Sequence, residues 1–402
     1  MLLLVRVLGA SGAWAATKRA KQPLSTAPRI LLIRPDHLGD LVVTTPVLHA
    51  LKQHVPNAQI TMMVGPWSGE IVARHPDIDR LLTCPFPGFQ RAPQKALAPY
   101  VLLRTVAKQL RRSQYDLAIN LRPDFWWGAA LIYLARIPRR IGYALDPGKP
   151  FLTEALSFHS PEHATVSNLR LVSVALKALD HAPLEEPYSP ERYPLQFIPT
   201  EEEQNWITKR LSSEGIDPAT PFVVIHPGTG AAVKLWRTEA WARCADTLTK
   251  STLWHVPLHI ILTGSRNERT MLEEIARDMA SPAIIVTDAT VGQLAALLGR
   301  AQLVLAVDNG PAHIAVAQGT PTVELFGPTD YRIFGPWGAE EKHVVLASTQ
   351  RCPGCPAIPC GRLDFSPEEL PAHPCVRLIG EQQVLAAIEK IFKTCHQKSN
   401  KN

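Results

Sequence analysis

Short apolar runs alternate with stretches of helical periodicity along nearly the whole chain, and they do so in two series. The first series is RILLIR (29–34), AQITMMVG (58–65), IDRLLTC (78–84), YDLAINL (115–121) and RRIGYA (139–144). The second is FVVIHPG (222–228), LHIILTG (258–264), AIIVTDA (283–289), LVLAVD (303–308) and TPTVELFG (320–327). Runs of this length with helical stretches between them, notably 98–113, 126–136, 238–250, 268–279 and 291–299, predict parallel strands joined by crossover helices. The expected class is therefore α/β, with two Rossmann-like doubly wound domains. A chain of 402 residues exceeds one comfortable core, which agrees with two series. The division falls in 181–200, a stretch with five prolines and little periodicity, just before Thr200 and Glu203 form a capping-box start for the next helix. The expected parts are a basic tail or interfacial segment at 1–28, a first domain at 29–190, a second at 191–345, and a Cys-rich segment with a terminal helix at 346–402.

Ligands of doubly wound sheets bind at the carboxyl ends of the strands, so two such domains are expected to face each other across a cleft lined by the loops there. In the second series, VDNGPAH (307–313) joins a buried strand to a helix. Asp308 and Asn309 are N-cap types, Gly310 permits close backbone approach, Pro311 fits the first helical position, and Gly319 closes the helix. Free N–H groups and the positive dipole end suit a phosphate there. The loop HPGTGAAVKLW (226–236) adds Gly228, Thr229, Gly230 and Lys234, a mobile cation suited to a diphosphate. In the first series, RPDHLGD (34–40) places Asp40 at a strand-to-helix loop. A carboxylate there can serve as a general base or as a helix-cap group, and Asp36 and His37 beside it are candidates for acceptor contacts. Arg122 and Asp124, with Trp126 and Trp127, follow another first-series strand and suit either a sugar acceptor or helix packing.

Neither G-x-G-x-x-G after the first strand nor G-x-x-x-x-G-K-[ST] nor G-x-S-x-G occurs, which removes dinucleotide, P-loop and hydrolase-elbow readings. The formal charge is +6, yet Arg6, Lys18, Arg19, Lys21 and Arg29 precede the first acid, and without them the body holds 37 basic and 36 acidic residues. No nucleic-acid stripe follows. Residues 1–16 resemble a short signal core interrupted by Arg6, too short to span a membrane, so the expectation is a cytoplasmic protein with a peripheral contact to the inner membrane face left open. Four of the seven cysteines, Cys352, Cys355, Cys360 and Cys375, are spaced C-x2-C-x4-C-x14-C with His373 nearby. They suit a structural zinc or an iron–sulfur centre, or remain free thiols; a metal there is expected to be structural and remote from the reacting groups. Asp77-Ile78-Asp79 is formally a D-x-D triplet, read as an ordinary loop.

ILLIRPDHLGDLVVTTPVLHALKQHVPNAQITMMVG resembles the opening of glycosyltransferase family 9, the bacterial lipopolysaccharide heptosyltransferases. HPGTGAAVKLWRTEAWARCADTL, IILTGSRNER and VDNGPAHIAVAQGTPTVELFGPTD are similar to its second half. The resemblance implies a GT-B fold with the acceptor on the N-terminal side and a nucleotide-sugar donor, typically ADP-heptose, on the C-terminal side. It also implies inverting transfer with no catalytic cofactor or metal. Asp40 then corresponds to the base, and Thr229, Gly230 and Lys234 to the phosphate loop. Glu268 corresponds to the acid near the nucleoside, and Asp308, Asn309, Gly310 and His313 to the donor-binding turn. The partners implied are a nucleotide sugar and a glycan or glycolipid acceptor. The rival expectation is a catalytically silent GT-B protein that binds a nucleotide sugar or assembles other proteins.

Overall fold

The computed structural model describes residues 2–20, 25–89, 95–251 and 257–399. Of the first and last expected segments, residues 1, 21–24 and 400–402 lie outside the described residues. The chain divides into two compact units, Met1–Tyr193 and Pro194–Asn402.

The first unit is built on strands β1 (Arg29–Arg34), β2 (Gln59–Val64), β3 (Arg80–Thr83), β4 (Leu117–Asn120), β5 (Arg139–Tyr143) and β6 (Glu154–Leu156). They pair in the order β3-β2-β1-β4-β5-β6, and every pairing is parallel. The second unit holds β7 (Phe222–His226), β8 (His259–Thr263), β9 (Ala283–Val286), β10 (Leu303–Val307), β11 (Thr322–Phe326) and β12 (His343–Ala347), ordered β12-β11-β10-β7-β8-β9, again all parallel. Counted within its own unit, each sheet places its first strand against its fourth, the order of a Rossmann fold. The switch points are therefore β1/β4, where Ile33 pairs with Asn120, and β7/β10, where His226 pairs with Ala306.

Why these runs become central strands is visible in their burial. β4, β7, β10 and β11 are buried at every position, as a parallel sheet covered on both faces requires. In the first unit the helix Thr45–His54 lies against the helix Ala164–Ala178, and Ala98–Arg112 against Trp126–Leu134. Phe86 meets both Phe125 and Trp127 edge-on, with centroids 5.5 and 5.8 Å apart. In the second unit Trp236 and Trp241 pack edge to face at 4.7 Å, a pair that adds about 1 kcal/mol to what their burial contributes. Thr200 and Glu203 close the capping box that starts the helix Glu201–Ser213.

Part of the 1–28 segment is a helix, Leu2–Arg19, laid on the helix Trp126–Leu134. The Tyr133 hydroxyl donates to the Arg6 carbonyl at 2.9 Å, and Arg139 donates to the Ala20 carbonyl at 2.7 Å. Gly9 permits that approach, since a Cβ there would come within 2.2 Å of the Tyr133 ring. Val7 and Trp14 stay exposed, with the Lys18 ammonium 3.7 Å above the Trp14 ring. Among the described residues no helix is long and apolar enough to cross a membrane.

Candidate active site

At the β1/β4 switch point the backbone leaves β1 through Arg34–His37 into a short helix, Leu38–Val42, that carries Asp40 in its first turn. Arg34 is buried and divides its guanidinium among Asp36 (Nε to Oδ2, 2.7 Å), Asp40 (Nη2 to Oδ1, 3.4 Å) and the Leu121 carbonyl (3.2 Å). A second guanidinium, from Arg122 after β4, holds the other oxygen of Asp36 in a short contact and binds Asp124 through Nε at 2.7 Å. Asp36 is thus locked between two cations at 2% side-chain exposure, while Asp40 keeps 28%. Only Asp40 of this pair opens to an incoming group.

Burial lifts the Asp40 carboxyl above its ordinary value of 3.8; Asp36 raises it further, and Arg34, Arg122 and His37 pull it partly back. That environment makes it a better proton acceptor than a free aspartate. Thr44 and Thr45 stand at the start of the helix Thr45–His54, where the N-cap Thr44 makes no side-chain cap bond. Their hydroxyls donate backward, to the carbonyls of Asp40 at 2.6 Å and Val42 at 2.7 Å. Asn168 ties this arrangement to the Ala164–Ala178 helix through Thr44 at 3.1 Å. His37 packs toward Trp67 and Phe89. Arg122, Asp124, Phe89, Tyr100, Trp126 and Trp127 line a cavity of about 440 Å³; Trp127 is almost wholly buried and donates to the Pro99 carbonyl at 3.0 Å. Both carboxylates of the D-x-D triplet are engaged locally: Asp77 with His49 at 3.0 Å, and Asp79 with the Ile60 amide at 2.7 Å and Lys52.

The β7/β10 switch point is organised by Asn309. Its side-chain oxygen accepts from the Ala312 amide at 3.0 Å, capping the helix Gly310–Ala317, and its amide donates to the carbonyls of Gly228 (2.8 Å) and His226 (3.3 Å). One residue therefore joins the helix start to the glycine loop. Gly319, at φ +74°, ends the same helix in the left-handed region that favours glycine. Asp308 takes no part in capping. It pairs with Lys234, Nζ to Oδ2 at 2.7 Å, with side-chain exposures of 7% and 14%, and it receives a short hydrogen bond from Thr329. Lys234 is accordingly a held cation and not the mobile one expected.

Thr229 and Gly230 are half-buried and exposed, while His313 is buried inside the helix. Glu268 accepts from the Ser265 amide (2.7 Å) and hydroxyl (2.8 Å), with its carboxylate against Gly228, where a Cβ would come within 2.1 Å. His226, buried and bonded to Thr263 at 2.9 Å, is pushed down to about 4 by burial and stays neutral at pH 7. Below Asp308 lies Glu324 on β11, buried and raised to about 8 chiefly by that burial. Arg34, Asn168, Thr329 and Glu324 were not singled out from sequence, although Arg34 and Thr329 lie inside the quoted loops.

The cysteine segment follows β12 in the second unit. Cys352, Cys355, Cys360, Cys375 and His373 line one cavity together with Val233 and Pro328, the residues immediately before Lys234 and Thr329. The chain thus folds the cluster against the residues that precede Lys234 and Thr329 in their loops.

Two Rossmann-like units of one strand order, each with polar groups gathered at its switch point, have the make-up of the GT-B fold. The model of glycosyltransferase family 9 (heptosyltransferase) matches residues 103–357, more than half of the chain, and the chain belongs to that family. It is 27% identical over 304 residues to lipopolysaccharide heptosyltransferase 3 of Escherichia coli K12, covering 74% of this chain and 82% of that one. Among solved structures, a family 9 glycosyl transferase from Veillonella parvula DSM 2008 superposes with a TM-score of 0.73 at 22% identity, covering 93% of this chain and all of that one. The E. coli ADP-heptose LPS heptosyltransferase II gives 0.67 at 19%, covering 92% and 99%.

Proposed function

We propose that this glycosyltransferase moves a heptose from ADP-heptose to a lipopolysaccharide-core or related glycan acceptor, with inversion at the anomeric carbon and without a metal at the reacting centre. The observation that carries the reading is the Lys234–Asp308 pair set at the capped start of Gly310–Ala317. A cation beside the positive end of a helix dipole suits a leaving diphosphate, because it stabilises charge that develops as the glycosidic bond breaks. Inversion needs one displacement and one base. Asp40 takes the proton of an acceptor hydroxyl while that oxygen bonds to the anomeric carbon, and the anomeric C–O bond breaks with its electrons departing on the nucleoside diphosphate. Arg34 and Arg122 hold Asp36, and Asp36 in turn raises the basicity of Asp40.

On the acceptor side, the cavity containing Phe89, Arg122 and Trp126 offers aromatic faces to a sugar and a guanidinium to an anionic group. The exposed Val7 and Trp14 beside Lys18 support a peripheral contact with the inner face of the membrane. Asp40→Asn is the direct test. Transfer from ADP-heptose should fall by about 10³-fold or more, in line with loss of a general base and of the charge that holds Arg34, while ADP binding measured by calorimetry is retained. Full transfer activity in that variant would remove Asp40 from the mechanism, and wild-type protein that binds ADP-heptose without turning it over on any core acceptor would favour a binding protein.

A further inference from the structure

The segment after β12 has little regular structure, only the short helical turns Leu370–Ala372 and Val376–Leu378 before the terminal helix, yet it buries Cys352, Cys355, His373 and Cys375. None of these thiols is in a disulfide. Sulfurs of Cys352 and Cys355 and a ring nitrogen of His373 lie within 4.8 Å of one another, with Cys355 Sγ 3.2 Å from His373 Nδ1. Cys360 and Cys375 face the same cavity, which has about 10 Å³ of open space. A tetrahedral ion with thiolate bonds of about 2.3 Å spaces its ligands roughly 3.8 Å apart, so this spacing fits a single ion and is too tight for a multi-iron cluster. Phe365 covers His373 at 3.9 Å between ring centroids, and Ile358 and Val233 complete an apolar wall. Soft ligands in a dry shell favour zinc or iron over magnesium or calcium.

Fastenings run from this segment to the loops of the anion site. The Gly361 amide donates to the Pro328 carbonyl at 2.7 Å, one residue before Thr329. Trp236 and Arg237 donate to the Ile379 carbonyl at 3.0 and 3.4 Å, just after Lys234. At Gly327 a Cβ would come within 2.8 Å of Cys375 Sγ and 2.4 Å of Val376, so the backbone entering the Thr329 loop is pressed against the cluster. We propose that Cys352 and Cys355, with two of Cys360, His373 and Cys375, bind one soft transition-metal ion, and that this ion clamps the two loops carrying Lys234 and Thr329. The ion acts on position only; it contacts no substrate. The metal site stands apart from the transferase reading, while the importance of the clamped loops rests on it.

The test uses the full chain purified without a metal-affinity resin. Elemental analysis should find roughly one zinc or iron per chain and no acid-labile sulfide, and cobalt exchange should give the thiolate charge-transfer and d–d bands of a tetrahedral site. Cys352→Ser and Cys355→Ser should each lose the ion, and Cys84→Ser, buried in the other unit, should keep it. Because a serine variant can fail to fold, the wild type is also stripped with a chelator and reloaded. Hydrogen exchange at 233–237 and 327–330 should speed up by about tenfold or more on stripping and recover on reloading. Freshly isolated, reduced protein with no stoichiometric metal and no cobalt bands, or an ion retained in Cys352→Ser and Cys355→Ser, overturns the site. Unchanged exchange in those two loops after stripping overturns the clamp. None of these readouts involves a nucleotide, so a failure of ADP-heptose transfer leaves a distinct result.

Discussion

Lys234→Met removes the cation from a pair that is nearly out of water, with Nζ and Oδ2 2.7 Å apart. At an effective dielectric near 20, charges at that separation attract by about 6 kcal/mol. Desolvation offsets much of this in the intact pair, but removing one partner leaves the Asp308 carboxylate buried and charged, with the Thr329 hydroxyl as its donor. Loss of one side of a buried pair costs about 3–5 kcal/mol, and the partial exposure of Lys234 argues for the lower end. The second unit should therefore lose about 3 kcal/mol, read as urea-dependent hydrogen exchange in peptides of β7 and β10, since a two-unit chain has no single unfolding midpoint. Asp308→Asn added to Lys234→Met should return about 2 kcal/mol, because the orphaned charge is gone. The same lysine should supply a charge-assisted hydrogen bond to the diphosphate, so Lys234→Met should weaken ADP binding by about 10- to 100-fold. The double variant should regain stability without regaining ADP affinity. Equal stability and equal ADP affinity in Lys234→Met would refute both the energetic account of the pair and its role at the donor.

Gly228→Ala should push the Glu268 carboxylate off Ser265, because the new Cβ falls 2.1 Å from Glu268 Oε1; calorimetry should show weakened ADP binding with a small change in unfolding. Glu324, raised to about 8 from 4.5, binds a proton in the native state that the unfolded chain has released. Stability should thus fall as pH rises between those two values and level off above the higher one. Glu324→Gln should flatten that slope and raise stability at pH 9 by about 2 kcal/mol or more, and an unchanged urea profile would count against a protonated Glu324. Asp36→Asn removes the like charge that raises the Asp40 carboxyl, so the acid limb of kcat/KM should move to lower pH; a stationary limb would separate that limb from Asp40.

Much of the architecture could be read along the chain because parallel strands and their caps are local features. Buried runs such as LVLAV declare themselves by composition, and Asn309 and the Thr200–Glu203 box each satisfy amides only three residues away. The division of labour inside the sites could not be read that way. Asp36 and Asp40 are equivalent carboxylates in RPDHLGD, and what separates them is Arg122, 86 residues distant, which buries one and leaves the other open. Arg34 reaches Asn168 across 134 residues, and the cysteine segment, which follows the edge strand β12, meets Pro328, which follows its neighbour β11, through a pairing of strands that local sequence does not show. The helix Leu2–Arg19 escaped notice for another reason: its apolar residues are not gathered on one face, so periodicity gives it no signature.

The misreading of Lys234 is the most instructive, because a lysine in a glycine loop looks the same whether it waves in solvent or is already paired. Asp308, assigned to the same phosphate turn, lies 74 residues further on, and nothing local links the two. Their pairing alters the chemistry expected of the site. An anion must compete with a carboxylate already in place for Lys234, so a single negative charge gains little by entering, whereas a diphosphate can engage the ammonium and the positive end of the Gly310–Ala317 dipole together. The pair holds the ammonium in position before the ligand arrives, which lowers the ordering cost of binding. A preference for diphosphate over monophosphate nucleotides would then arise from Asp308, a residue that need not touch the donor at all.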